Sequence, residues 1–158
     1  MSTTRITTSG GCHCGAVRFT VTFADPPNLL DCNCSICAKT GFLHLIADAA
    51  DFTLLSGGDS LTDYRFGSGT ARHLFCTTCG IKSFYVPRSH PDGFSVNWRA
   101  LDGVDMIAPV FIPYDGKNWE TARRAGLAAR LAALLFSGPS GRGASASHPP
   151  APVPPSPP

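Results

Sequence analysis

Seven cysteines stand in three tight clusters, Cys12-His-Cys14-Gly, Cys32-Asn-Cys34-Ser-Ile-Cys37 and Cys76-Thr-Thr-Cys79-Gly, and any fold of this chain has to satisfy their sulfurs. An odd number cannot pair completely as disulfides within one chain, and clustered cysteines in a reducing compartment argue for metal. They divide into four and three. Four thiolates around one ion make a closed, structural site, whereas three leave a fourth position open for water or substrate. The spacing therefore predicts two zinc ions, one that holds the fold and one that does chemistry.

The outer clusters supply the four. In Cys76-Thr-Thr-Cys79-Gly80 two sulfurs can turn toward one ion, with Gly80 free to take the positive φ that a tight knuckle needs. Cys12 and Cys14, at i and i+2 of an expected extended strand, face the same side, and His13 between them faces away. An ion here would tie the N-terminal strand to the middle of the sheet. Buried unliganded cysteines and an iron–sulfur centre are the alternatives. In the central cluster Cys32, Cys34 and Cys37 lie close enough to chelate one ion unaided, and the motif contains no fourth ligand. The other possibility is that His44, His73 or another distant residue closes the sphere, giving a second structural site.

Composition narrows the class. The chain of 158 residues fits one domain, and its hydrophobic fraction of 43% supports a core. It has no run of eighteen apolar residues, and its first ten residues lack the apolar stretch of a signal peptide, so a cytoplasmic protein without membrane spans is expected. The net charge of +2 misleads, because Arg123, Arg124, Arg130 and Arg142 all follow residue 120. Before that point nine Lys and Arg face eleven Asp and Glu, a balance of −2, and seven thiolates on two divalent ions would make it −5. Nucleic acid is excluded as a partner, since its affinity rests on clustered cations.

Val17, Phe19, Val21 and Phe23 alternate with Arg18, Thr20 and Thr22, the period-two pattern of a half-buried strand. Further strands are expected over 42–46, 52–55, 61–66, 71–75, 82–86, 94–99 and 106–111, separated by Gly-rich turns. Many short strands of this kind indicate an antiparallel, mostly β architecture. Residues 119–136 instead repeat apolar positions every three to four residues, opposite Arg123, Arg124 and Arg130, as an amphipathic helix does, though Gly126 interrupts them. The expected division is a zinc-binding domain over 5–120, a helix over 121–136 and a disordered Pro/Gly/Ser-rich tail over 137–158.

Gly10-Gly11-Cys12-His13-Cys14-Gly15-Ala16-Val17-Arg18-Phe19, Asp31-Cys32-Asn33-Cys34-Ser35-Ile36-Cys37-Ala38-Lys39-Thr40-Gly41 and Phe75-Cys76-Thr77-Thr78-Cys79-Gly80 together resemble the glutathione-dependent formaldehyde-activating (GFA) family, which includes centromere protein V. Val96-Asn97, Leu101-Asp102 and Asn118-Trp119-Glu120 add to the likeness. The resemblance implies the Mss4-like fold, or β-tent, of antiparallel sheets with zinc knuckles. It also implies a structural zinc on Cys12, Cys14, Cys76 and Cys79, and a catalytic zinc on Cys32, Cys34 and Cys37. The implied activity is that of a carbon–sulfur lyase condensing formaldehyde with glutathione to S-hydroxymethylglutathione. One departure stands out: members often carry Arg directly after the third central cysteine, where this chain has Ala38 and then Lys39.

Adding a thiol to an aldehyde needs a thiolate and a polarised carbonyl, and an open zinc site suits either. His44, seven residues beyond the cluster, is the expected acid or base. Glutathione as co-substrate brings two carboxylates, for which Lys39, Arg65, Arg72 and Arg99 are the candidate partners. The expected ligands are thus a small aldehyde and a thiol. The alternative is a non-catalytic, zinc-stabilised binding module, since fold does not dictate function.

Overall fold

A computed structural model of the chain describes residues 4–126. Ten strands and one short helix follow in the order β1 (Arg5–Gly11), β2 (Arg18–Ala24), β3 (Asn28–Cys32), α1 (Ser35–Thr40), β4 (Leu43–Asp48), β5 (Phe52–Ser56), β6 (Leu61–Tyr64), β7 (His73–Cys76), β8 (Phe84–Tyr85), β9 (Gly93–Asn97) and β10 (Val110–Tyr114). Residues 119–126 are helical, and the rest of the expected 121–136 helix, with the 137–158 tail, lies outside the described residues.

The strands form a three-stranded sheet β1-β2-β5, a five-stranded sheet β10-β3-β4-β9-β8 and a hairpin pair β6-β7. Every pairing is antiparallel except β10 on β3, which is parallel in the register Phe111 to Leu29 and Tyr114 to Cys32. The last expected strand, 106–111, thus lies later in the chain, at 110–114. The expected N-terminal strand is β1, which is polar and ends before the cysteines, whereas β3 and α1 were not expected: β3 carries adjacent leucines rather than an alternation, and α1 sits inside a cysteine motif.

All three sheets feed one core. Phe19 of β2 stacks on Phe52 of β5 at 5.2 Å, and Phe52 stacks on Phe94 of β9 at 4.3 Å. Phe84, Val96, Leu45, Leu29 and Leu74 fill around them. Each such side chain contributes about 1.5–3 kcal/mol by leaving water.

The strands β4, β8 and β9 are buried on both faces, and their period of two sorts the side chains. Leu45, Phe84, Phe94 and Val96 enter the core. His44, Tyr85, Ser95 and Asn97 alternate with them and form a second buried layer that is polar. The three-cysteine cluster lies against that layer.

Candidate metal centres

The chain brings its cysteines together as four and three. Cys12, Cys14, Cys76 and Cys79 form one group and Cys32, Cys34 and Cys37 another, with the ligand atoms of each within 4.8 Å of one another. In the first, Cys12 Sγ and Cys14 Sγ are 3.5 Å apart, and Cys14 Sγ and Cys76 Sγ 3.6 Å. No disulfide joins them. Four sulfurs each ~2.3 Å from a tetrahedral ion would be about 3.8 Å apart, so the spacing fits zinc.

Local backbone explains the grouping. Cys12 and Cys14 lie in a turn that leaves β1, closed by the Gly15 amide on the Cys12 carbonyl at 3.3 Å, rather than in the extended strand expected. His13 is exposed there. The second knuckle matches expectation: the Gly80 amide donates to the Cys76 carbonyl at 2.8 Å, and Gly80 has φ of 73°. Backbone amides also face the sulfurs, Val17 N–H donating to Cys12 Sγ at 3.3 Å. Amides of Cys14 and Ile81 hold the Cys79 thiol down to about 6. The group joins the end of β1 to the end of β7, as expected for a structural tie.

The three-cysteine group is built differently. Cys32 ends β3, Cys34 caps α1, and Cys37 is buried one turn along that helix. The turn that follows β10 closes over the loop. Asn33 N–H donates to the Tyr114 carbonyl at 3.2 Å, Asn33 Nδ2 to Asp115 Oδ1 at 3.0 Å, and Lys117 N–H to Asn33 Oδ1 at 3.0 Å. Gly116 lies so close that a Cβ there would strike Cys32 Sγ and stand 2.9 Å from Cys34 Cβ. Burial, and then the charge of Cys32, raises the Tyr114 hydroxyl.

Three sulfurs this close cannot all ionise unaided. The Cys32 thiol is held down to about 4, chiefly by its hydrogen bond with Cys37, while Cys37 is pushed up by Cys32 and by burial. A bound cation would remove that conflict, so the donor set fits a thiophilic ion such as zinc. Among the described residues, the two groups whose ligand atoms all lie within 4.8 Å of one another consist of cysteines, and His44 Nε2 stands 3.1 Å from one sulfur of the second.

His44 sits directly behind the sulfurs, 4% exposed, with Nε2 3.1 Å from Cys37 Sγ. Its Nδ1 lies 2.9 Å from Ser95 Oγ and 3.4 Å from the Tyr85 hydroxyl. If Cys37 is a thiolate it can only accept, so Nε2 carries the proton and Nδ1 accepts from the hydroxyls.

The four candidate carboxylate partners separate. Lys39 is exposed on α1, and Arg99 Nε donates to the Gly41 carbonyl at 3.1 Å, at the end of the same helix. Arg65 and Arg72 instead converge on Asp63, at 2.9 and 2.8 Å. Burial would raise that carboxyl, but the two guanidinium groups hold it below the usual carboxylate range.

One conspicuous residue escaped the sequence reading. Lys82 is 7% exposed, with Nζ 2.9 Å from His73 Nδ1 and over the rings of Tyr85 and Phe42 at 4.1 and 4.7 Å. Burial lowers its ammonium to about 8, opposed by the thiolates of Cys37, Cys34 and Cys32. His73 is lowered to about 4, by burial and then by Lys82, so at neutral pH it accepts from the lysine. The available signal was a lysine between Ile81 and the Ser83-Phe84-Tyr85-Val86 run that carries β8.

A mostly antiparallel β protein with one four-sulfur and one three-sulfur group able to hold a metal ion is the class that fold and clusters define. The chain belongs to the family described as "Glutathione-dependent formaldehyde-activating enzyme", whose profile matches residues 7–115. A Halomonas elongata protein named "Putative glutathione-dependent formaldehyde-activating enzyme" is 37% identical over 79 residues, 44% of this chain and 50% of that protein. The chain thus spans about half the length of this curated relative. A crystal structure of a Rhodobacter sphaeroides protein is similar with a TM-score of 0.57 and 38% identity, over 66% of this chain and 99% of that one. No helix among the described residues is long and apolar enough to cross a membrane.

Proposed function

We propose that the chain is a zinc-dependent carbon–sulfur lyase of the cytoplasm that condenses formaldehyde, or another small aldehyde, with glutathione to S-hydroxymethylglutathione. The observation that carries this reading is the three-sulfur group, set against a buried histidine whose Nε2 lies 3.1 Å from Cys37 Sγ. Zinc held there would supply Lewis-acid character and favour the thiolate form of a thiol at its open position. The other site, on Cys12, Cys14, Cys76 and Cys79, serves the fold, and residues 5–120 form the working domain.

The reaction joins the thiol sulfur to the aldehyde carbon, and the thiol proton ends on the new hydroxyl; nothing is oxidised or reduced. His44 holds or passes that proton at Nε2, and Ser95 and Tyr85 keep its ring aimed at the sulfurs. Cys32, Cys34 and Cys37 are fixed by β3, by α1 and by the turn closing over Asn33. Lys39 and Arg99, both at α1, are the cations offered to the glutathione carboxylates, while Arg65 and Arg72 are engaged with Asp63.

Exchange NMR on formaldehyde and glutathione tests this. The zinc-loaded chain is expected to accelerate interconversion of free aldehyde and adduct, and Cys34→Ser to abolish the acceleration. Two zinc ions per chain with no acceleration would refute the enzyme reading in favour of a zinc-stabilised binding module.

A further inference from the structure

A buried cation has to be compensated, and the immediate neighbours of Lys82 do not supply a full negative charge. Its hydrogen-bond partner, His73 Nδ1 at 2.9 Å, is neutral at pH 7 and supplies no charge. The faces of Tyr85 and Phe42 supply only the weaker attraction of ring quadrupoles. The charges that would favour the ammonium form are those of the Cys37, Cys34 and Cys32 sulfurs when ionised.

Lys82 and those sulfurs share aromatic neighbours. The Phe42 ring lies 4.7 Å from Lys82 Nζ and 4.7 Å from the His44 ring. The Tyr85 ring touches Nζ at 4.1 Å, and its hydroxyl reaches His44 Nδ1 at 3.4 Å. His44 in turn meets Cys37 Sγ at 3.1 Å. These side chains and Cys37 are buried while Cys32 and Cys34 are partly exposed, so water screens the lysine least from Cys37.

Three thiolates on a divalent ion leave one negative charge, and a thiolate as fourth ligand makes two. Holding two negative charges beside a dry layer is unfavourable unless a cation stands nearby. We propose that Lys82 is the buried counter-cation of the three-cysteine centre, and that its charge sets how tightly the centre accepts an anionic fourth ligand, the thiolate of a thiol co-substrate. This rests on the reading that Cys32, Cys34 and Cys37 hold a metal ion. Lys82 is a positioning residue, acting through its charge and not through contact with substrate.

The test loads the full chain with cobalt and follows sulfur-to-cobalt charge-transfer absorption during titration with 2-mercaptoethanol at pH 7. Lys82→Met should load the same amount of cobalt yet bind the thiol about tenfold or more weakly, while Lys82→Arg, which keeps the charge, should stay within about threefold of the unaltered chain. If the Met variant does not fold, Lys82→Gln repeats the neutral arm. A neutral variant with normal cobalt content and unchanged thiol affinity would overturn the role of Lys82 alone, as would an Arg variant as weak as the neutral one. If Cys34→Ser holds as much cobalt as the unaltered chain, the metal reading itself fails and takes this role with it.

Discussion

Gly116→Ala should weaken metal binding at the three-cysteine cluster while leaving the four-cysteine site and the fold in place. Gly116 does not have a positive φ, so the substitution acts through space and not through backbone strain. Its new methyl would stand 2.9 Å from Cys34 Cβ, against about 3.5–4.0 Å for carbons in ordinary contact. It would press harder still on Cys32 Sγ. The loop has to yield by about 0.6 Å or more at Cys34, whereas a metal site tolerates ligand displacements of only about 0.2 Å. Overpacking of this kind typically costs about 1–3 kcal/mol, or roughly five- to 150-fold in affinity. Competition of a chromogenic chelator against the zinc-loaded chain reads the loss directly, with Gly126→Ala, where the new methyl meets nothing within 4 Å, as control. Two ions per chain held as tightly as in the unaltered chain would refute the argument, because the turn after β10 would then not be the wall of the site.

The two cysteine groups should respond differently to single substitutions. Cys34→Ser is expected to lose one metal ion and stay folded, whereas Cys76→Ser, in the core and on the β1–β7 tie, should lose the other ion and several kcal/mol of stability; metal analysis with thermal unfolding checks both. The depressed His73 gives a pH signature. Its folded value of about 4 lies below the 6.5 of an ordinary histidine, so between these the unfolded chain binds a proton that the folded chain does not. The stability it contributes is complete above pH 6.5 and falls as pH drops toward 4, and His73→Gln, which keeps an acceptor for Lys82, should flatten that slope by on the order of 1–2 kcal/mol after screening. Denaturant midpoints measured across pH 4 to 7 with and without the substitution decide this, and identical slopes would count against it.

What the sequence disclosed follows from the range of each interaction. Ligand spacing is local, so the division of seven cysteines into four and three could be read before any contact was known. Val17 to Phe23 likewise announced its strand, because one face of β2 enters the core and the other does not. β1 lacked that signal, since Thr7, Thr8 and Ser9 stay at the surface while Gly10 is buried against the Ala100 carbonyl. The parallel pairing of β10 on β3 joins segments about eighty residues apart, and with it came the turn that seats Gly116 on Cys32. Cys12 and Cys14 bring their sulfurs together through a turn and not through strand alternation. Lys82 was hidden for a similar reason: His73, Phe42 and Tyr85 assemble around it from three elements or their edges, and no short motif records that meeting.

The proposed chemistry requires one cysteine group to be closed and the other open to a thiol. Cadmium NMR of the fully loaded chain measures this at each ion separately. Two resonances are predicted, of which added glutathione shifts one and leaves the other unmoved, with the movable one absent in Cys34→Ser. A single resonance, or two that both ignore glutathione, would contradict the account.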